Sequence, residues 1–394
     1  MATPLRGADS GRRSPVRARR VTRALLASTL ALAVVGGVSA TAGAETAPPS
    51  ETATLDGLSG TTASSFQETL AARLTPERRA VLEENAATLA AAGTERVAGK
   101  DRYQTAVGVS YGVFDPGVPV VYVASGTGFA DALSAAPAAA VQGGPLLLVQ
   151  PNGIPTIVAD ELRRLAPQRI VVVGGSGAVS DAVYQQLAGY APAIRRDAGA
   201  NRYATSRLVS ERAFAGQTVE VAYVATGTDF PDALSAGAVA GAYGVPVVLV
   251  NGKAATVDAP TKQLFQALGV GAVGIAGGNG AVSASVEADL LGEPYLNGNV
   301  VRFAGKNRYE TSVELNRGVF EWANGAFLAT GAGYADALSG AAAAGFIPVP
   351  LWVVPSTCVP AAVLGDGAAL GVDSYVLLGG RGALGDGVAA LRQC

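Results

Sequence analysis

The chain has 394 residues, of which 49% are hydrophobic and 15% charged, a composition typical of a folded protein with room for two or three domains. It contains no histidine, which excludes Ser-His-Asp catalysis, Cys-His catalysis and every histidine-ligated zinc site. We therefore expect no catalytic residues, no metal centre and no cofactor.

The N-terminal 44 residues predict an export signal. Seven arginines precede an apolar run over residues 24–38, and Ala42-Gly43-Ala44 fits an A-x-A cleavage site. The run has 15 residues, fewer than the roughly 20 that span a bilayer, so a cleaved signal is favoured over an uncleaved membrane anchor. We expect a secreted protein with no stable membrane span after cleavage. Arg19-Arg20 permits twin-arginine export, but its flanking residues match poorly, so Sec and Tat export both stay open.

Removal of residues 1–44 makes the protein acidic. It leaves 22 basic and 30 acidic residues, a balance that argues against broad affinity for nucleic acids or anionic membranes. Binding of an anion would therefore have to be local.

Two cysteines, Cys358 and Cys394, lie near the C-terminus. In an exported protein, a disulfide that tethers the C-terminus is favoured over two free thiols. Neither arrangement points to catalysis.

Residues 45–94 predict a linker followed by short helices. Residues 45–65 are rich in Thr, Ser, Ala, Pro and Gly, which is typical of a flexible linker. Helical patterning covers residues 66–92, where Thr75 suits an N-cap and Pro76 the first helical position. This segment is too small for an enzyme domain.

The rest of the chain is a threefold repeat. Each copy opens on Asp/Asn-Arg-Tyr and later contains Asp-Ala-Leu-Ser, and its arginine and aspartate are separated by 29, 30 and 28 residues in the three copies. From one copy to the next, this arginine recurs after 100 and then 106 residues, at Arg102, Arg202 and Arg308. So long a period indicates duplication of a whole domain. We predict repeats over 95–194, 195–301 and 302–394.

Short apolar strands alternate with helices inside each copy. In the first copy the predicted strands are 96–98, 120–124, 145–149 and 170–173, and the predicted helices are 102–114, 131–141, 156–165 and 180–187. In the other copies the strands are 221–225, 246–250, 272–276, 326–329, 350–354 and 375–378. Continuous apolar strands between helices favour a parallel sheet covered on both faces. The fold class is therefore α/β, with three tandem parallel-sheet modules.

The recurring polar residues follow strands and begin helices. Turns of this kind share the carboxyl edge of a parallel sheet, where ligands usually bind. The first residue of each motif suits an N-cap, and the recurring aspartate suits a first helical turn, where the helix dipole favours negative charge. A purely structural role at the start of the helix could account for these aspartates.

The recurring arginines are harder to explain, because the dipole disfavours a cation at a helix N-terminus. In each of the three copies, one of two partners could offset that cost. One is an aspartate of the same or a neighbouring repeat; the other is an external anion. The residues alone leave both open.

Two further patterns concern packing. Gly380-Arg381-Gly382-Ala383-Leu384-Gly385 formally matches G-x-G-x-x-G, but no acidic residue occupies the ribose position, so we predict a tight turn. The helix that begins at each aspartate is rich in small residues, over 135–140, 236–238 and 340–344. We hypothesise that these helices pack closely where the three modules meet; packing against each module's own sheet is the alternative.

These motifs together resemble the cell-wall-binding repeat of type 2. In the first copy the resemblance rests on four segments, namely Ala98-Gly99 with Arg102-Tyr103 and Thr105-Ala106, Gly126-Thr127 with 131–134, 145–148, and Val173-Gly174-Gly175. It extends over residues 95–394. It implies Rossmann-like or Toprim-like modules in a pseudo-threefold arrangement, in a secreted Gram-positive surface protein held non-covalently by anionic, teichoic-acid-like wall polymer.

The resemblance also implies nine ligand-binding positions. They are the arginine, the tyrosine and the aspartate of each copy: Arg102, Tyr103, Asp131, Arg202, Tyr203, Asp232, Arg308, Tyr309 and Asp336. The third copy departs from the pattern at Pro350 and Gly385, which makes its contacts the least secure. We expect a non-catalytic wall-binding protein; the alternatives are a modifier of a wall hydrolase and a structural surface-layer protein with internally paired arginines.

Overall fold

A computed structural model describes residues 60–73 and 93–394. The predicted export signal and the helix start at Thr75 lie outside these residues. The first described element is helix α1, Gly60–Ala71, so the linker prediction is wrong for residues 60–65, which are helical.

Within the described residues, the strands form three four-stranded sheets. They are β1 Gly93–Val97, β2 Val121–Ser125, β3 Leu146–Val149, β4 Arg169–Val173, β5 Ala193–Asp197, β6 Val221–Thr226, β7 Val247–Val250, β8 Ala272–Ala276, β9 Val300–Phe303, β10 Gly325–Thr330, β11 Leu351–Val354 and β12 Ser374–Leu378. The sheet orders are β3-β2-β4-β5, β7-β6-β8-β9 and β11-β10-β12-β1. All neighbouring strands run parallel, with Val123, for example, opposite both Leu147 and Val172. The predicted α/β class with three parallel-sheet modules is confirmed.

The sheets are offset from the repeats by one strand. Strand β5 opens the second repeat but pairs with β4 of the first, and β9 opens the third repeat but pairs with β8 of the second. Strand β1 pairs with β12 of the third repeat and so closes the ring. The expectation that residues 96–98 share a sheet with 120–124 is therefore wrong, because the chain crosses to the next module directly after each opening strand.

The helices of the first repeat occur where the sequence predicts them, except that the predicted helix 131–141 is divided in two at Ser134, and the other repeats follow the same order of elements. The helices are α2 Arg102–Val113, α3 Ala130–Leu133, α4 Ala135–Val141, α5 Thr156–Leu165, α6 Asp181–Leu187, α7 Arg202–Ala213, α8 Pro231–Tyr243, α9 Ala259–Leu268, α10 Ala284–Leu291, α11 Arg308–Arg317, α12 Ala335–Phe346, α13 Ala361–Ala369 and α14 Asp386–Ala389. The side chains of Asp101, Asn201 and Asn307 each accept hydrogen bonds from two backbone N–H groups of the following turn. The predicted N-caps are therefore confirmed.

Helices α4, α8 and α12 pack against one another at the centre of the ring. A Cβ atom on Gly241 of α8 would lie 2.9 Å from the Ala140 Cβ and 3.0 Å from the Gly345 Cα. Only small residues allow helix backbones to approach this closely. The small-residue hypothesis is confirmed, and the three modules meet around a pseudo-threefold axis.

Helix α1 covers the second sheet. The Phe66 ring is buried, with its centroid 5.8 Å from that of Tyr223 and 5.5 Å from that of Phe303. Arg73 donates to the backbone carbonyls of Tyr243 and Gly244 at the end of α8. Apolar burial and carbonyl capping therefore join α1 to the repeats.

The C-terminal end of the third module carries the predicted disulfide between Cys358 and Cys394. Despite Pro350, β11 forms normally. The indole of Trp352 is fully buried there and donates to the Asp366 carboxylate over 3.1 Å. Nowhere in the described part of the chain is a helix long and apolar enough to cross a membrane.

Candidate functional site at the repeat junctions

Three aromatic residues, each two positions before the recurring aspartate, meet at one end of the central helices. They are Phe129, Phe230 and Tyr334, and their ring centroids are 5.5 to 5.8 Å apart. Each belongs to a different repeat, so the cluster lies where the three repeats come together. Mutual tilted contacts of this kind are favourable for aromatic rings.

The recurring arginines surround this aromatic cluster. The guanidinium carbon lies 5.5 Å from the Tyr334 centroid for Arg102, 6.0 Å from the Phe129 centroid for Arg202 and 5.8 Å from the Phe230 centroid for Arg308. Each arginine therefore stacks on the ring of the preceding repeat, at a distance suited to a cation–π contact. One such junction is made by repeats 1 and 2, one by 2 and 3, and one by 3 and 1.

A backbone carbonyl fixes each arginine from the other side. The Nη1 atoms of Arg102, Arg202 and Arg308 donate to the carbonyls of Gly126, Gly227 and Gly331, respectively. This glycine follows the first central strand of the arginine's own repeat. Each guanidinium is therefore held between its own sheet and the ring of its neighbour.

The recurring tyrosines explain why a glycine is needed there. A Cβ atom on Gly126 would lie 2.6 Å from Cε1 of Tyr103, and the same close approach involves Tyr203 at Gly227 and Tyr309 at Gly331. Burial raises the pKa of the Tyr103 phenol. The predicted tyrosines thus pack beneath the arginines and support them.

The recurring aspartates lie against the glycine turn at the end of the fourth repeat strand. A Cβ atom on Gly174 would lie 2.6 Å from Oδ2 of Asp131, and Gly277 and Gly379 stand in the same relation to Asp232 and Asp336. Burial raises the pKa of all three carboxyls, to about 6 for Asp232. For Asp232 the nearby Asp229 adds to the increase, and Arg308 opposes it.

Arginines and recurring aspartates face each other across the junctions without pairing directly. The charge of Arg202 acts on Asp131, that of Arg308 on Asp232 and that of Arg102 on Asp336. Among the described residues, however, none of these three carboxylates lies within 4 Å of a guanidinium nitrogen. The internal ion pair that the sequence left open is therefore not formed by these aspartates. Arg308 instead pairs with Asp229, at 3.7 Å between Nη2 and Oδ2.

A second set of recurring arginines was not identified from the sequence. Arg96, Arg196 and Arg302 stand six residues before the first set, and their Nη1 atoms donate to the carbonyls of the glycine turn, at Gly379 (2.7 Å), Gly174 (3.0 Å) and Gly277 (2.7 Å). Each therefore fastens its opening strand to the turn on which the aspartate rests. The constant spacing of six residues was a signal that could have identified them.

The described part of the chain offers no group of three or more Cys, Asp and Glu side chains that could hold a metal ion. The junctions are instead built from guanidinium groups, aromatic rings and half-buried carboxyls, and guanidinium groups form strong hydrogen bonds with carboxylates and phosphates.

The model of one protein family, described as Cell wall binding domain 2 (CWB2), matches residues 96–184, 196–287 and 302–389. The chain belongs to this family. The three matches follow the three repeats and include the arginine, tyrosine and aspartate of each.

Two curated relatives from Bacillus subtilis (strain 168) are similar to the chain. It is 28% identical over 253 residues to N-acetylmuramoyl-L-alanine amidase LytC, an alignment that covers 64% of this chain and 48% of the amidase. It is 30% identical over 270 residues to an amidase enhancer, in an alignment that covers 68% of this chain and 36% of the enhancer. The chain thus spans half or less of the length of each relative.

Two solved structures from Clostridium difficile share the fold. Cwp6 aligns with a TM-score of 0.66 at 23% identity over 73% of this chain and 46% of its own. Cwp8 aligns with a TM-score of 0.68 at 25% identity over 76% of this chain and 51% of its own. The CWB2 repeats indicate association with the cell wall and a location at the wall or cell surface.

Proposed function

We propose that this CWB2 chain attaches non-covalently to the bacterial wall by binding an anionic, teichoic-acid-like polymer at its three repeat junctions. The observation that carries the proposal is the placement of Arg102, Arg202 and Arg308. Each is held by a carbonyl and an aromatic ring, and none forms an ion pair with a recurring aspartate.

The chemistry of these arginines supports a phosphate-rich or carboxylate-rich ligand. A guanidinium group presents several N–H donors in a fixed fork that matches phosphate and carboxylate geometry. A carbonyl acceptor occupies Nη1 in each case. Further N–H groups of Arg102 and Arg202 are available to a ligand, whereas Nη2 of Arg308 faces Asp229 at 3.7 Å. Because the chain after residue 44 has an excess of acidic residues, attraction of a polyanion depends on these local charges.

Repetition of the site would strengthen attachment to a polymer. A polymer that repeats an anionic group can occupy a second junction after the first, and each later contact is then intramolecular. Weak sites can therefore give firm attachment without any single strong contact. This suits arginines that reach the surface, as Arg202 does.

We assign the chain no catalytic step. The sequence contains no histidine, so zinc-dependent amidase chemistry with histidine ligands has no basis in it. The tyrosines pack against the glycines at the junctions, and Asp131 and Asp336 form side-chain hydrogen bonds with Thr205 and Thr105 of the next repeat. We keep the tyrosines and aspartates among the proposed ligand-binding positions, with no catalytic role.

Sedimentation with purified Gram-positive cell walls tests the proposal. Protein comprising residues 45–394 is expected to pellet with intact walls and to stay in the supernatant after the anionic polymers are chemically removed. Replacement of Arg102, Arg202 and Arg308 by alanine is expected to abolish pelleting without loss of the cooperative unfolding transition. Equal pelleting before and after polymer removal would contradict the proposal.

A second candidate, modification of a wall hydrolase, is favoured by the similarity to the amidase enhancer. In that case the chain would raise the rate at which an amidase releases fragments from walls, while releasing none alone. Measurement of fragment release by an amidase, with and without residues 45–394, separates the two candidates. An unchanged rate leaves attachment as the function.

A further inference from the structure

We propose that Asp229 closes one of the three junctions to the polymer, so that Arg202 carries most of the anion binding and Arg308 the least. The inference rests on the proposed function and concerns how its three sites differ. It assigns a specificity-determining role to one residue that the repeat motif does not contain.

The three junctions differ at the position just before the aromatic ring. The first and third repeats have glycine there, at Gly128 and Gly333, whereas the second has Asp229. Glycine adds no charge and no side chain beside the arginine. Asp229 adds a carboxylate to one junction out of three.

The Asp229 carboxylate is aimed at the arginine and held there. Its Oδ2 lies 3.7 Å from Nη2 of Arg308, and its Oδ1 accepts a hydrogen bond of 2.9 Å from the backbone N–H of Phe230. The anchored carboxylate therefore stands where an anionic ligand group would approach the guanidinium. A ligand at this junction has to displace it and overcome its charge.

Asp232 supplies a second negative charge at this junction. The charges of Asp229 and Arg308 both act on its carboxyl. With both carboxyls ionised, the charge of Arg308 is more than balanced. An incoming polyanion then meets net repulsion at this junction.

The other two junctions lack this internal competitor. Among the described residues, Arg202 donates only to the Gly227 carbonyl and no carboxylate lies within 4 Å of it. Arg102 also donates to the Tyr334 hydroxyl over 3.0 Å, which uses a donor but brings no carboxylate of the described residues within 4 Å of the guanidinium. The order of anion affinity is therefore Arg202 first, Arg102 second and Arg308 last.

The replacement Asp229→Gly tests the inference, because it installs the residue of the other two repeats. We expect the affinity for purified Gram-positive walls to rise about 2- to 5-fold, the gain that corresponds to removing one exposed competing ion pair. Asp160→Asn is the matched control, since it removes one negative charge from an exposed Arg163 pair on α5. It is expected to leave wall affinity within error of the wild type.

Arginine variants complete the design. In the wild type, Arg202→Ala is expected to weaken wall binding most and Arg308→Ala least, and Arg308→Ala is expected to cancel the gain of Asp229→Gly. Equal losses from the three arginine variants, or a gain that persists without Arg308, would overturn the inference while leaving attachment intact. Failure of the wild type to pellet with walls would instead overturn the proposed function.

Discussion

The Asp131 carboxylate and the Gly174 backbone are in such close contact that no side chain fits between them. Gly174 has φ +101°, and a Cβ atom there would lie 2.6 Å from Oδ2 of Asp131. We predict that Gly174→Ala destabilises the protein by about 2–4 kcal/mol, because backbone strain and steric overlap add. The measurement is urea unfolding monitored by circular dichroism.

The adjacent Gly175 provides the control for this prediction. A Cβ atom on Gly175 meets no other atom within 4 Å, so Gly175→Ala is expected to change the unfolding free energy by less than about 1 kcal/mol. Asp131→Ala in the Gly174→Ala background should recover the steric part of the loss and leave the backbone part. Equal effects of the two glycine variants would show that the close contact is unimportant.

The sequence was sufficient to predict the strands, the helices and their caps, because apolar runs and capping residues are local signals. Strand exchange between repeats was not predictable in the same way. The local pattern of residues 93–97 does not reveal which sheet they join, because their partner strand β12 lies at the other end of the sequence.

The candidate site was predicted in part. The arginines and aspartates recur at nearly constant spacing, so repetition exposed them. The aromatic cluster recurs just as regularly at Phe129, Phe230 and Tyr334, but alternation of rings with small residues also suits an ordinary core. The pair of Asp229 with Arg308 has no counterpart in the other repeats, so repetition gave no signal for it.

A charge cluster around one buried carboxylate links strand β5 to helix α7. Asp197 at the end of β5 is fully buried, and its carboxylate lies 3.1 Å from Arg195 Nε and 2.5 Å from Arg212 Nη1. We predict that Asp197→Asn destabilises the protein by about 1–3 kcal/mol, because two guanidinium groups lose their counter-charge but are 27% and 42% exposed to water. Differential scanning calorimetry should show the loss, and Arg195→Met should restore part of it in the double variant. A loss as small as that of the exposed Asp160→Asn variant would contradict the prediction.

Strand β1 closes the ring, and its removal should open the third module. We compare protein that begins at residue 93 with protein that begins at residue 98, so that β1 is the only element in question. The shorter protein loses the pairing with β12 and the bond from Arg96 to the Gly379 carbonyl. We expect a lower melting temperature and concentration-dependent association in light scattering, because an uncovered strand edge pairs with other chains. Matching melting temperatures and monodisperse samples for both proteins would refute this role for β1.

Asp232 makes stability depend on pH in an unusual direction. Burial raises the pKa of its carboxyl to about 6, from an ordinary value of 3.8. Between these values the folded state holds a proton that the unfolded state has lost, so this contribution to stability falls as pH rises from about 4 to above 6.

Asp232→Asn removes the cost of ionising a buried group. We expect it to raise the unfolding free energy at pH 7.5 by about 1–3 kcal/mol and to change it little at pH 4. Urea titrations of the variant, the wild type and Asp160→Asn at both pH values provide the measurement. A variant that is less stable than the wild type at pH 7.5 would mean that the ionised Asp232 carboxylate stabilises the junction through Arg308.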